Sequence, residues 1–147
     1  MYQTILVPTD FSEPAELAWK HAVELAKVHG SKLVLVYVVE PLLSHYGVVG
    51  LIPGVKEMEE EHDTQSRLKL KELIAETREG GMEVACHVLK GKPWQVVVDE
   101  AKKVGADLVV MGTHGRTGIG HESIGSTAER VVQHAPCPVM VVRPNGD

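Results

Sequence analysis

Cysteine is scarce in this chain of 147 residues, which contains only Cys86 and Cys137. The two residues lie far apart and outside any CxxC pair, so the sequence indicates neither a disulfide framework nor a zinc site of paired thiols. Both are expected to be ordinary core side chains.

An excess of basic charge and long apolar runs are missing as well. The 15 lysines and arginines are outnumbered by 20 acidic residues, which gives a net charge of −5, whereas a nucleic-acid-binding protein usually shows a basic face. No apolar run approaches the roughly 20 residues that span a bilayer. The opening MYQTILVPTD lacks the basic and long apolar segments of a secretory signal. We therefore expect no nucleic-acid or membrane partner, and a cytoplasmic location.

Several known catalytic and phosphate-binding motifs are absent. The pair Gly91-Lys92 is followed by proline, so no Walker A sequence GxxxxGK[ST] occurs. The first apolar run leads into PTDFS and not into the GxGxxG of a dinucleotide-binding loop. There is no GxSxG nucleophile elbow, and His114 and His121 lack the i, i+4 spacing of a helical zinc pair. Neither covalent catalysis nor a metal site is therefore predicted, and no catalytic residue is assigned.

The apolar residues that are present form short runs that alternate with longer amphipathic stretches. The runs predict five strands, at Thr4–Val7, Leu33–Val39, Val84–Leu89, Leu108–Met111 and Val139–Val142. The amphipathic stretches predict four helices, one between Ser12 and Gly30, one over Glu57–Glu79, one from Pro93, and one from near Ser126 to Pro136. This order is typical of an α/β fold with an open, doubly wound, mostly parallel sheet and helices on both faces. The second run has no polar face and predicts a central strand, whereas the third alternates as a strand near an edge does. The length predicts one domain over residues 1–147.

A glycine-rich segment, Gly112–Thr127, follows the fourth strand and begins the fourth helix. In open α/β sheets, ligands bind at the carboxyl ends of the strands, where the strand order reverses. Glycines let backbone N–H groups approach an anion, and a helix start adds unpaired donors and a partial positive charge. The hydroxyls of Ser126 and Thr127 and the guanidinium of Arg116 supplement these donors. The segment therefore predicts a phosphate site, with a flexible loop before a capped helix as the alternative.

Three further features bear on a ligand. Asp10 ends the first strand and would face the same crevice if strands one and four are neighbours. Its carboxylate would there bind a ribose hydroxyl, an adenine amine or a metal, and capping of the first helix beside Ser12 is an equal alternative. His114 is expected to line a nucleotide site and not to bind zinc. Segment 41–54, PLLSHYGVVGLIPG, is apolar but too rich in glycine and proline for a regular helix, so it needs cover from a ligand, a partner or the domain itself.

These residues resemble the universal stress protein family, in its ATP-binding branch. The pattern of that branch, G-x2-G-x9-G-[S/T], is matched at every spacing by Gly112, Gly115, Gly125 and Ser126. The opening ILVPTDFSEPA and the closing PCPVMVVRP also resemble the first and last strands of the family, so the resemblance covers essentially the whole chain. One departure is Ala128, which stands where some ATP-binding members have threonine.

The resemblance implies a Rossmann-like, adenine-nucleotide α-hydrolase-like fold, with a five-stranded parallel sheet of order 3-2-1-4-5 and ATP between strands one and four. The residues it implies beside adenosine are Pro8, Thr9, Asp10, Val38 (through its backbone), Met111 and Gly112. The residues it implies at the phosphates are Gly115, Arg116, Gly125, Ser126 and Thr127. A divalent ion, Mg²⁺, is implied as a ligand of the phosphates. Since Ala128 removes one hydroxyl, weaker triphosphate binding is expected, and AMP or ADP becomes a plausible ligand.

The function that the resemblance implies is a stress-response regulatory protein, whose nucleotide-dependent shape or contacts are read by a protein partner. The sequence offers a phosphate cradle and an arginine but no clear base or water-positioning group, so binding is favoured over turnover. A slow ATPase or phosphotransferase, and a chaperone-like protein indifferent to nucleotide, are the alternatives. Family members commonly dimerise through their last strands, which implies a homodimer through Val139–Val142. The alternative there is an ordinary edge strand protected by Pro138 and Arg143.

Overall fold

The computed structural model describes residues 1–39, 55–113 and 124–144, with side chains from residue 64 onward in the second range. The strands are β1 (Thr4–Thr9), β2 (Lys32–Val39), β3 (Val84–Lys90), β4 (Leu108–Gly112) and β5 (Val139–Val142). The helices are α1 (Glu13–His29), α2 (Val55–Glu79), α3 (Pro93–Val104) and α4 (Ser126–His134). Every predicted strand and helix is present, with small shifts at the ends.

The strands form one parallel sheet of order β3-β2-β1-β4-β5. The α/β class and the strand order that the resemblance implied are therefore confirmed. The central position of β2 and the edge position of β3 are confirmed as well. All of Leu33–Tyr37 in β2 is buried, because strands on both sides and helices on both faces cover it, whereas most of β3 is only half-buried.

The two faces of the sheet bury separate apolar clusters. Successive side chains of a strand point to opposite faces, so the neighbours Ile5 and Leu6 of β1 belong to different clusters. The first cluster, which contains Ile5, packs against α1 and α2 through residues such as Leu70. The second cluster, which contains Leu6, packs against α3 and α4 through residues such as Val97 and Val131. Full burial of a side chain of this size stabilises the fold by roughly 1.5–3 kcal/mol.

The ends of α1 follow the predicted signals. The Ser12 hydroxyl accepts a hydrogen bond from the Ala15 N–H at 3.3 Å and caps the start of the helix. Gly30 ends it in the left-handed conformation, with φ 68°, and its N–H donates to the Ala26 carbonyl. Glycine suits this position because it adopts positive φ without steric cost.

Both cysteines are free thiols and half-buried, and each packs against the outside of an apolar cluster, Cys86 on the first and Cys137 on the second. Burial raises the pKa of Cys86, although the nearby Arg78 guanidinium lowers it in part. Burial also raises the pKa of Cys137, and the Asp107 carboxylate raises it further. A raised pKa leaves less of the reactive thiolate at neutral pH, so both thiols are expected to react slowly.

Candidate functional site

The carboxyl ends of β1 and β4 part in the middle of the sheet. The two strands are neighbours, but β1 leads into α1 on one face and β4 precedes α4 on the other. This is the switch point at which open α/β sheets bind ligands. Between β1 and β4, only Ile5 pairs with Leu108 and Leu6 with Val109, whereas β1 pairs with β2 as far as Thr9. The pairing between the two strands therefore ends at Leu6, and we refer to the region beyond it, at the carboxyl ends of β1 and β4, as the crevice.

Pro8 accounts for the place where the two strands part. The Asp107 N–H donates to the Thr4 carbonyl at 3.0 Å, so the backbone groups of Thr4 face β4. Backbone groups alternate in direction along a strand, so those of Leu6 and Pro8 face β4 as well. Proline has no N–H, and β1 therefore offers β4 no donor beyond Leu6. The pairing between β1 and β4 therefore ends at Leu6, next to the switch point.

The turn from β1 into α1 is built from side-chain oxygens that accept backbone N–H groups. The Thr9 hydroxyl accepts from the Phe11 N–H at 3.1 Å, and the Asp10 carboxylate oxygen Oδ1 accepts from the Ser12 N–H at 2.9 Å. The Asp10 carboxylate therefore helps to fix the start of α1 beside Ser12, which is the alternative to a ligand contact that the sequence left open. A contact of its carboxylate with a ligand stays a prediction.

Gly112, at the end of β4, lies against the first turn of α1. A Cβ built on Gly112 would come within 2.7 Å of the Pro14 Cβ, 2.8 Å of its carbonyl carbon and 2.9 Å of its carbonyl oxygen. The protein itself therefore requires a glycine here, whatever a ligand requires. The close approach brings the end of β4 next to the turn that carries Asp10.

Thr113 joins the end of β4 to both following elements, a role that no sequence pattern marks. Its side chain is only 3% exposed. Its N–H donates to the Val142 carbonyl at 3.1 Å, and its carbonyl accepts the Gly125 N–H at 2.7 Å. The base of the glycine-rich segment is thereby closed, and Gly125 is held beside the end of β4.

The start of α4 has backbone donors that find no partner inside the helix. Its N-cap residue is Gly125, with extended backbone and no side chain to cap the helix. The Glu129 N–H is the first to find an intrahelical partner, the Gly125 carbonyl, at 3.0 Å, so the N–H groups of Ser126, Thr127 and Ala128 have none within the helix. Ser126 is exposed and Thr127 half-exposed, while Ala128 is 2% exposed and packs in the second cluster. This helix start suits an anion.

The structure brings most of the predicted site residues together. At the carboxyl edge of the sheet, around β1 and β4, lie Pro8, Thr9, Asp10, Gly112, Gly125, Ser126 and Thr127. Val38 lies on β2, on the side of β1 away from β4. The Met111 side chain is 5% exposed and packs in the second cluster, so any ligand contact of this residue would be through its backbone. The predicted residues His114, Gly115 and Arg116 lie outside the described residues, as does segment 41–54.

A polar pair away from the crevice was not predicted. The His87 Nδ1 on β3 lies 2.6 Å from the Glu100 Oε1 on α3, and the Glu100 side chain is only 8% exposed. The two residues are 13 positions apart across a strand-to-helix connection. No short-range spacing marks such a pair, and only the docking of α3 on the sheet reveals it.

The described ranges contain neither a metal-binding cluster of side chains nor a helix able to span a membrane. Among residues 1–39, 64–113 and 124–144, no cluster of three or more His, Cys, Asp or Glu side chains is arranged to hold a metal ion. In the described part of the chain, no helix combines the length and apolarity needed to cross a bilayer.

Comparison with known proteins gives a consistent set of relatives. A family model described as "Universal stress protein family" matches residues 1–143. A protein of Methanocaldococcus jannaschii, "Universal stress protein MJ0531", is 35% identical over 145 residues, which cover 97% of this chain and 83% of the relative.

Solved structures share the fold. UspA from Lactobacillus plantarum superposes with a TM-score of 0.85 at 30% identity, over 97% of this chain and 98% of that chain. The universal stress protein from Archaeoglobus fulgidus in complex with dAMP superposes with a TM-score of 0.68 at 25% identity, over 97% and 98% of the two chains.

Proposed function

Because the chain belongs to the universal stress protein family, we propose that it binds an adenine nucleotide in the crevice between β1 and β4. The observation that carries this proposal is the parting of these strands at Pro8, beside the uncapped start of α4. The similar Archaeoglobus fulgidus protein forms a complex with dAMP, a ligand with an adenine, a sugar and a phosphate. The crevice and the helix start offer complementary surfaces for these groups.

The adenosine half of the ligand lies at the end of β1. Pro8, Thr9 and Asp10 contact it, and the Val38 backbone recognises the adenine. Gly112 and the Met111 backbone contact the base or the ribose. This assignment is supported by the position of Asp10 on the turn that Gly112 approaches through Pro14.

The phosphate half lies at the start of α4. The N–H groups of Gly125, Ser126 and Thr127 neighbour the site, although that of Gly125 already donates to Thr113. The donors without a partner in the helix and the positive end of the helix dipole, equivalent to roughly half a charge, attract the phosphates. His114, Gly115 and Arg116 complete the cradle, and Mg²⁺ binds through the phosphates of ATP or ADP.

The biological role we propose is a nucleotide-dependent regulatory module, whose bound state is read by a partner protein. Phosphoryl transfer requires a positioned nucleophile and neutralisation of charge in line with it. The described groups at the crevice are mainly the hydroxyls of Thr9, Ser126 and Thr127, which can bind and orient a nucleotide. Among the described residues, none of these hydroxyls is hydrogen-bonded to a histidine that could act as a general base. We therefore rank binding above slow ATPase or phosphotransferase activity. Tight binding of ATP with hydrolysis at the background rate would support this ranking. ATP hydrolysis above background that disappears when Ser126 is replaced would reverse it.

A charge placed at the start of α4 tests the proposal. In Ser126→Asp, the positive end of the helix dipole stabilises the added carboxylate, so the helix is expected to persist. The carboxylate repels a bound phosphate, by about 4 kcal/mol for unit charges 4 Å apart near a protein surface. Part of this is lost to screening, so we expect AMP and ATP to bind between about tenfold and a hundredfold more weakly. Adenosine, which has no phosphate, is expected to bind as it does to the wild type. Calorimetric titration with the three ligands measures the pattern.

The matched control is Gln95→Asp, which adds the same charge to the exposed first turn of α3. It is expected to leave all three affinities unchanged. Thermal melting of both variants checks that the fold survives. Wild-type affinity of Ser126→Asp for ATP would contradict the placement of the phosphates, and equal loss of adenosine and ATP would point to damage of the whole crevice.

We also propose that two copies pair through β5. The Val109 N–H donates to the Pro138 carbonyl and the Thr113 N–H to the Val142 carbonyl, so the backbone groups of Val139 and Val141 point away from β4. Met140 is 37% exposed on the same strand. At the other edge of the sheet, the Arg78 guanidinium covers a β3 carbonyl, that of Val84, at 2.8 Å. Within the part of the chain that the structure describes, no strand pairs with this edge of β5, and an apolar edge of this kind favours pairing with a second copy.

A further inference from the structure

Phe11 adopts a backbone conformation that a bulky side chain normally avoids. Among the described residues it is the one non-glycine residue with positive φ, at 62°. Such residues persist only where the surrounding structure over-determines them, and they cluster at functional sites. Phe11 lies in the turn between Asp10 and Ser12, at the mouth of the crevice.

The Phe11 ring is held from two elements of the first cluster. Its centroid lies 5.4 Å from that of Tyr37 on β2, with the ring planes tilted by 42°. The Lys69 ammonium on α2 lies 5.6 Å from the same centroid, a distance at which a cation is attracted to a ring face. The ring is half-buried and packs against the first cluster. It therefore lies toward α2, on the face of the sheet opposite to α4.

α2 is itself fixed to β2 beside this contact. The Tyr37 hydroxyl donates to or accepts from the Ser66 hydroxyl at 3.0 Å, and Ser66 is 3% exposed. Ser66 and Lys69 are three residues apart and so lie on the same side of the helix. Tyr37 and Lys69, which together we call the clamp, therefore contact the Phe11 ring from two elements that are hydrogen-bonded to each other.

The backbone of Phe11 sets the hydrogen bonds on both of its sides. Its own N–H donates to the Thr9 hydroxyl at 3.1 Å, and the next N–H, that of Ser12, donates to the Asp10 carboxylate at 2.9 Å. A return of Phe11 to negative φ would redirect the chain between these two bonds. The orientation of the Asp10 carboxylate therefore depends on the left-handed turn at Phe11.

We propose that Phe11 is a positioning residue of the nucleotide site: its ring, clamped by Tyr37 and Lys69, holds the left-handed turn that presents Asp10 to the crevice. The inference rests on the proposed function, since the ligand is the nucleotide proposed above. Phe11 does not contact the ligand in this account and acts only through the backbone and Asp10.

A pair of substitutions separates the backbone from the ring. Phe11→Ala and Phe11→Gly both remove the ring, but alanine disfavours positive φ whereas glycine adopts it freely. We expect Phe11→Ala to weaken adenosine and AMP binding by about tenfold or more, and Phe11→Gly to retain affinity within about threefold. Calorimetric titration of each variant with adenosine and with AMP gives the two affinities.

Amide hydrogen exchange at Ser12, measured without nucleotide, gives a second readout. The Ser12 N–H is protected by the Asp10 carboxylate, so its exchange is expected to be faster in Phe11→Ala than in the wild type or in Phe11→Gly. The matched control is Tyr2→Ala, which removes a different aromatic ring packed against the same cluster, one whose centroid lies 5.1 Å from that of the His29 ring. It is expected to lower stability but to change neither Ser12 exchange nor affinity.

Three results would overturn the inference. The first is wild-type affinity and wild-type Ser12 exchange in Phe11→Ala. The second is an equal loss of affinity in the alanine and glycine variants, which would show that the ring and not the turn matters. The third is changed Ser12 exchange with unchanged affinity. Failure of the wild-type protein to bind any adenine nucleotide would instead reject the proposed function, and Ser12 exchange would still decide whether Phe11 holds the turn.

Discussion

Replacing Gly112 by alanine is expected to destabilise the junction between β4 and α1. Gly112 is not among the glycines with positive φ, so alanine can adopt its backbone conformation and the cost comes from space alone. The new Cβ would lie 2.7–2.9 Å from three atoms of Pro14, two of which belong to the backbone and cannot rotate away. Overpacking of this kind costs about 1–3 kcal/mol. At 2 kcal/mol, Tm would fall by about 4–8 °C in a domain of this size.

Urea and thermal unfolding followed by circular dichroism measure this loss. The matched control is Gly80→Ala, where the new Cβ would meet the Thr77 carbonyl oxygen at 3.4 Å, an ordinary contact. We expect the control to stay within about 0.5 kcal/mol of the wild type. A Gly112→Ala variant as stable as the wild type would refute the reasoning. The motif glycine would then be required, if at all, by the ligand and not by Pro14.

Three further predictions concern other parts of the molecule. His87→Ala leaves the buried Glu100 carboxylate without its partner at 2.6 Å, so the free energy of unfolding in urea is expected to fall by about 3 kcal/mol. Adding Glu100→Met to that variant removes the carboxylate and should largely restore the stability. If it does not, His87 contributes by packing alone. Burial raises the pKa of Cys86 and Cys137 above the ordinary 9.0, so the folded state binds more protons than the unfolded chain at alkaline pH. The free energy of unfolding should therefore fall as pH rises past 9.0. Replacing both cysteines by alanine should make this fall less steep, and an unchanged slope would assign it to other groups. Met140→Lys on the exposed face of β5 is expected to convert a dimer into a monomer in light scattering, and a wild-type protein that is already monomeric would reject pairing through β5.

The regular elements could be predicted because each carries its own local signal. The unbroken apolar run of β2 marks burial on both faces, and Ser12 and Gly30 mark the ends of α1 by their capping chemistry. The apolar run at Thr4–Val7 predicted β1, with Asp10 at its end, and the strand spans Thr4–Thr9. Pro8 lies within it, although proline usually interrupts a strand. Proline is tolerated there because its missing N–H faces the gap between β1 and β4.

What the sequence could not show are contacts between residues distant in the chain. The approach of Pro14 to Gly112 depends on how α1 docks on the end of β4, and the left-handed Phe11 depends on a ring clamp from β2 and α2. The anchoring role of Thr113 depends on hydrogen bonds to β5 and α4. A glycine motif therefore indicated the region of the proposed site, while the residues that shape this region are set by tertiary packing.

The same contacts describe how the proposed site would join a base-binding half to a phosphate-binding half. The turn at Asp10 belongs to the α1 and α2 face of the sheet, and the start of α4 belongs to the opposite face. Gly112 and Thr113 are the residues at which the two halves meet. A ligand with a base and sugar at one end and phosphate at the other would bridge the halves and stabilise their relative position. Binding is expected to raise Tm in proportion to the logarithm of ligand concentration.

The most direct test of the central claim is calorimetric titration of nucleotide-stripped protein with AMP and with Mg·ATP. The account predicts saturable binding of an adenine nucleotide at about one site per chain, since the described sheet has a single switch point, between β1 and β4. Preference for AMP would fit the absence of a hydroxyl at Ala128, and equal or tighter binding of ATP would show that Thr127 and the glycine-rich segment suffice for the triphosphate. No heat with either ligand, confirmed by an unchanged Tm, would contradict the account.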